Sequence, residues 1–174
     1  MTTTEQLKSA PPTGTYVIDP LHTSVGFVAR HLIGSKVRGH FSEFTGTVTI
    51  ADPLEQSSVV GEASVASVDT GQEQRDAHLR SADFFDSDTY PDITVTVNQA
   101  RLSGQGVTVS GSLTVRDLTK PLTFDATVSA ASDSEISLDA EVPVNRTDFG
   151  LTWNQMGMAS VHNTITVHAV FTKR

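Results

Sequence analysis

The sequence predicts an all-β protein whose strands run antiparallel as consecutive hairpins. Three observations lead there. Apolar and polar residues alternate with a period of two through most of the 174 residues, the signature of strands with one dry and one wet face. Turn-forming residues fall between the alternating segments. Only two stretches, 69–91 and 143–159, break the pattern. Sequential hairpins with one dry face make a sandwich or a barrel, and periodicity does not separate the two. A barrel of about eight strands can hold one small ligand, and the two interruptions would then be lids or mouths.

Tyr16 and Ile18 open a short first strand. Val25, Phe27 and Ala29 then face one way, and Ser24 and Arg30 the other. Phe44, Gly46, Val48 and Ile50 alternate with three threonines. Segments 58–68 and 93–102 read as further strands. Val107, Val109, Gly111, Leu113 and Val115 share a face, as do Leu122, Phe124, Ala126 and Val128, and next Ile136, Leu138, Ala140 and Val142. The last strand sets Val161, Ile165, Val167, Ala169 and Phe171 on one side. The wet faces are rich in Thr and Ser, which suit exposed strands. Turns are expected at Gly34-Ser35, at 103–106 and at Ser132-Asp133-Ser134. Only 6% of residues are aromatic. Small inward Val, Ala and Gly leave more room at a given barrel size, unless close packing removes it.

In the first interruption Thr70 and Glu73 have the spacing of a capping box, so a helix of two or three turns is expected to run through Arg80. Asp76 and Arg80 lie four apart and can pair. Phe84, Phe85, Tyr90 and Pro91 follow. Adjacent phenylalanines in a connecting segment pack onto something apolar, either a satellite core under the loop or a ligand. The second interruption holds Phe149, the only tryptophan, Trp153, and both internal methionines, Met156 and Met158. Methionine adapts its shape and is common at permissive apolar surfaces. With the turn at Gly34-Ser35, His31 sits opposite Arg38 and both point to the open end of the dry face, toward an anion, a polar head or solvent.

Size and charge narrow the function. The length suits one domain, expected at 14–174 behind a Thr-, Ser- and Pro-rich tail at 1–13. That tail has neither the basic start nor the apolar run of a secretory signal. No segment approaches the roughly 20 apolar residues of a spanning helix. A cytoplasmic location is expected. The formal charge of −8 repels nucleic acid. There are no cysteines, so thiol chemistry is excluded. Asp148-Phe149-Gly150 spells a kinase motif, but the other kinase signatures are absent. His22, His31 and His78 lack metal-ligand spacing, and His162 and His168 fall on the outer parity of the last strand. No metal or other cofactor is expected.

Several strings together resemble the YceI-like family. These are Asp19-Pro20-Leu21-His22-Thr23-Ser24-Val25-Gly26-Phe27 with Val37-Arg38-Gly39-His40-Phe41, the block from Arg75 to Phe85 followed by Tyr90-Pro91, Gly111 to Pro121, and Asn145-Arg146-Thr147-Asp148-Phe149-Gly150. The similarity runs from about Gly14 to the end. It implies a lipocalin-like antiparallel β-barrel of about eight strands with one or two short helices. It also implies a non-enzymatic role: binding, transport or storage of a long isoprenoid lipid, a polyprenyl chain or an isoprenoid quinone. Many members begin with a signal peptide, which residues 1–13 do not resemble. On this reading His31, Arg38, Arg75, Asp76 and His78 would meet the lipid head. Phe27, Phe41, Phe84, Phe85, Phe149, Trp153, Met156 and Met158 would meet the tail. The expected partner is a long apolar lipid, with transient membrane contact and a homodimer both compatible with apolar lids. Two alternatives remain at this point: an enzyme acting on an amphiphile with Asp76, His78 and His31 as acid–base groups, and a filled β domain for protein interaction.

Overall fold

The computed structural model describes residues 12–31, 36–103, 106–151 and 159–174. Eleven strands are joined in one antiparallel sheet: β1 (Gly14–Ile18), β2 (Ser24–His31), β3 (Lys36–Phe41), β4 (Phe44–Ile50), β5 (Ser58–Ser64), β6 (Val68–Asp69), β7 (Asp92–Ser103), β8 (Gly106–Val115), β9 (Leu118–Ala131), β10 (Glu135–Asn145) and β11 (Ala159–Lys173). One helix, α1 (Glu73–Arg80), and three short 3-10 turns complete the described residues.

Eight strands close a barrel in the order β1-β4-β5-β7-β8-β9-β10-β11, with β1 returning to β11 through Tyr16↔Lys173 and Ile18↔Phe171. The fifteen-residue β11 serves two neighbours. Its C-terminal end pairs with β1, and residues 159–168 pair with β2, which carries β3 and the two-residue β6. The barrel wall is therefore taller on the β2–β3 side. The alternation assigned to each strand is realised in the cross-strand pairs. Val142 faces Ile165 and Ile165 faces Phe27, while Ala140 faces Val167 and Val167 faces Val25. Position 98 sits in a bulge between Val97 and Gln99, which resets the parity of β7 so that Ala100 still points inward.

The two ends differ. At one end Tyr16, Ile50, Val97, Ile136, Ala169 and Phe171 form a dry floor, capped by Leu54 of a 3-10 turn. Tyr16 is fully buried, and its hydroxyl lies 2.9 Å from the Pro12 carbonyl and 3.3 Å from that of Ser132. The opposite end carries α1, the loop after it and the 3-10 turn at Arg146–Phe149.

Two local expectations are corrected. Segment 58–68 is not one strand, because a 3-10 turn at Val65–Ser67 separates β5 from β6. The capping box does not form either. Gln72 is the N-cap and offers no side-chain bond. Gly71, at φ +80°, turns the chain just before the helix, and the Thr70 hydroxyl goes instead to Asp76.

Candidate functional site

The barrel interior is lined by apolar side chains, several of them only partly buried. Val25, Phe27, Val95, Leu122, Phe124, Leu138, Ile165 and Val167 all point inward by register, yet each retains accessible surface. At mid-height Ala126, Ala140 and Val142 are themselves buried, and Leu122, Phe124, Leu138 and Ile165 pack against them. Floor residues such as Ile136 and Phe171 have almost no accessible surface. Gly46 and Gly61 face each other across β4 and β5, and neighbouring side chains close in on both: a Cβ at Gly46 would meet Ile18 at 3.4 Å and one at Gly61 would meet Val95 at 3.0 Å. At Gly39 a Cβ would overlap the Phe27 ring, so this glycine is what lets Phe27 lie across β3.

Above the tube sits an aromatic and apolar collar. Phe41 touches Phe27 at a ring separation of 5.8 Å and Phe85 at 6.3 Å. Phe149 and Leu151 are buried against Leu113 and Val115, with Phe84 and Phe85 packed on them. Arg116, at φ +58° in the β8–β9 turn, stands 5.7 Å from the centre of the Tyr90 ring and reaches the Gly150 carbonyl at 3.5 Å. It ties three mouth segments together.

The YceI-like domain model matches residues 16–172. The chain belongs to the YceI-like family. YceI proteins of Escherichia coli O17:K52:H18 (strain UMN026 / ExPEC) and Shigella flexneri are each 32% identical to it over 145 residues, 80% of this chain and 75% of theirs. Burkholderia cenocepacia BcnA has a similar structure, with a TM-score of 0.81 and 23% identity over 88% of this chain and 98% of that one. A polyisoprenoid binding domain from Saccharophagus degradans, implicated in plant cell wall breakdown, superposes with a TM-score of 0.77 at 16% identity, covering 94% and 100%. The Campylobacter jejuni YceI protein gives 0.73 at 21% identity, covering 83% and 90%. At these structural identities the likeness is one of fold.

In this YceI-like chain the block from Arg75 to Phe85 is largely occupied in building the mouth. Asp76 is buried and accepts from the Thr70 amide at 2.8 Å and the Thr70 hydroxyl at 2.5 Å. Arg75 donates to the same hydroxyl at 2.8 Å and to the Thr70 carbonyl at 2.9 Å. His78 meets Asp83 at 3.0 Å and the edge of Phe84 at 5.2 Å. Arg80 reaches the Ala66 carbonyl at 3.5 Å rather than Asp76. Asp76 also lines an outer groove of about 600 Å³ between α1 and the β3–β4 corner, with Glu43, Asp69 and Glu73. That groove lies outside the tube. Asp76 thus fastens the start of α1 through the Thr70 amide and hydroxyl.

Arg38 is a clear correction. It pairs with Val28, not with His31, and is exposed on the outer face. The observed register sets Arg30 against Lys36, and an offset of an odd number of residues sends a side chain to the opposite face. Phe27, Phe84 and Phe85 keep accessible surface, whereas Phe41 and Phe149 are already buried in the protein's own packing. The His31 side chain, Trp153, Met156 and Met158 lie outside the described residues. His162 and His168 are exposed, and His168 pairs with Asp139 at 2.6 Å. Among the described residues no group of three His, Asp or Glu could hold a metal ion, and no helix is long and apolar enough to cross a membrane.

Three side chains were missed by the alternation. Arg146 is buried, donates to the Leu151 carbonyl at 2.6 Å, and has its pKa lowered by burial. Arg116 makes the latch described above. Asn163 interrupts the inward face of β11 between Val161 and Ile165. The sequence signal for it was visible: it is the one position skipped in the apolar series of that strand.

Replacing Asp76 with Ala strands the Thr70 amide and hydroxyl. It is expected to lower stability by about 1–3 kcal/mol, read by urea denaturation, while bound lipid is retained. A folded Asp76→Ala protein that has lost its lipid would instead return Asp76 to the head-binding set.

Proposed function

We propose that this chain is a carrier or store for a long isoprenoid-type lipid, held in the barrel with its tail toward the Tyr16 floor. The observation that carries this is the closed ring whose inward side chains are apolar and several of which, such as Leu122, Ile165 and Val167, are only partly buried. Family membership and the fold shared with a polyisoprenoid binding domain support the same reading.

Energetics decide how such a carrier would work. Burial is worth about 0.8 kcal/mol per CH₂, so each five-carbon unit gains roughly 4 kcal/mol relative to water. Eight units would exceed the ceiling of non-covalent affinity, about 18–21 kcal/mol. The lipid is therefore exchanged with a membrane rather than with water, and moving a hydrocarbon tail from bilayer to barrel is close to neutral. Tail length would be selected by the depth of the tube and head chemistry by the polar groups near its mouth. Phe27, Phe84 and Phe85 are the aromatic side chains best placed to touch the tail.

Organic extraction of the purified protein followed by mass spectrometry tests this directly. A long polyprenyl-type lipid in stoichiometric amount is the expected result. An extract free of lipid, from a protein that also fails to take up added polyprenyl lipid, overturns the proposal.

A further inference from the structure

We infer that Asn163 is the head-recognition residue inside the barrel, and that the lipid it selects carries a neutral, hydrogen-bonding head such as an alcohol. This rests on the carrier reading above and specifies its ligand.

Asn163 lies on β11, opposite Val144 on one side and Ala29 on the other. The next inward residue, Ile165, packs against the buried cluster of Ala126, Ala140 and Val142, as does Val144. The cross-strand neighbours of Asn163 are thus apolar, and its Oδ1 is buried without a hydrogen-bond partner among the described residues. An amide acceptor left in this state is destabilising, whereas a hydrophobic residue of similar size carries no unpaired acceptor. The amide presents one acceptor and two donors. Its terminal torsion is soft, so a small rotation turns either end toward the tube.

Position along the barrel fits a head site. Asn163 pairs at the mouth end of β10, and eight residues of β11 separate it from Phe171 in the floor. At about 3.3 Å per residue this is roughly 26 Å of strand, shortened by strand tilt. A head at Asn163 leaves that length for a tail below it. The neutral character follows from the donor set. An amide hydrogen-bonds but supplies no charge, so Asn163 does not offset the burial of an ionic head such as a diphosphate.

The test uses the full chain with matched probes: geranylgeraniol, geranylgeranyl diphosphate and squalene, which has no polar head. Asn163→Leu and Asn163→Ala are compared with wild type, the second variant adding no bulk. Geranylgeraniol affinity is expected to fall roughly tenfold in both variants, with squalene uptake unchanged and the diphosphate the weaker ligand of wild type. Unchanged geranylgeraniol binding, an equal fall for squalene, or tighter binding of the diphosphate by wild type overturns the inference while leaving the carrier reading intact. A wild-type protein that takes up none of the three overturns both.

Discussion

Val167→Phe is expected to leave the barrel folded and to weaken lipid binding by roughly tenfold or more. Val167 faces inward at mid-height, between Ala140 and Val25, and retains accessible surface. A phenyl ring there points into the tube and occupies space the tail would fill. Each displaced CH₂ contact costs about 0.8 kcal/mol, and 1.4 kcal/mol is a factor of ten. In a filled core the outcome inverts, because forcing a larger side chain into close packing destabilises by about 1–3 kcal/mol. The variant therefore separates a hollow barrel from a filled one. Val60→Phe is the control: Val60 is 50% exposed on the outer face, opposite Thr47 and Thr96. Lipid loading and the urea midpoint are measured on both. A Val167→Phe protein that is markedly destabilised, with lipid binding undiminished, would sink the hollow-barrel premise.

Strand identity was legible because a two-residue period is imposed by the backbone itself. Val25, Phe27 and Ala29 face inward as the alternation requires, and so do the inward runs of β8, β9, β10 and β11. Register was not legible at the β2–β3 connection, because alternation is unchanged by sliding one strand along its neighbour. The face expected for Arg38 hung on the position of the turn, and an odd offset reversed it. Helix α1 was placed correctly in extent, but its fastening was not. Thr70 and Glu73 match a capping box in spacing, while the actual partner, Asp76, is chosen by the turn at Gly71. Buried arginines are hidden for a similar reason. Nothing local in Asn145-Arg146-Thr147 announces that Arg146 folds under the collar to hold the Leu151 carbonyl. Asn163 is the contrary case, since a polar residue on a dry parity stands out in the alternation of β11 alone.

Tyr16→Ala is the substitution expected to cost most stability. The side chain has no exposed surface and sits where β1 bridges β4 and β11, so it is packed into the seam that closes the ring. Removing a buried aromatic ring costs about 3–5 kcal/mol when the site cannot collapse. Collapse is restricted here, because Val48, the cross-strand partner on β4, is itself buried and held in the ladder. That loss is a large share of the roughly 5–15 kcal/mol typical of a domain. Tyr16→Phe isolates the hydroxyl and should cost only about 0.5–1.5 kcal/mol, through the contacts to the Pro12 and Ser132 carbonyls. Urea unfolding of the two variants measures both terms. If β1 is what closes the barrel, Tyr16→Ala should also release bound lipid at urea concentrations where wild type retains it. Coincident lipid release in the two proteins would mean that the floor holds without its tyrosine, and that closure depends on the β4 and β11 ladders alone.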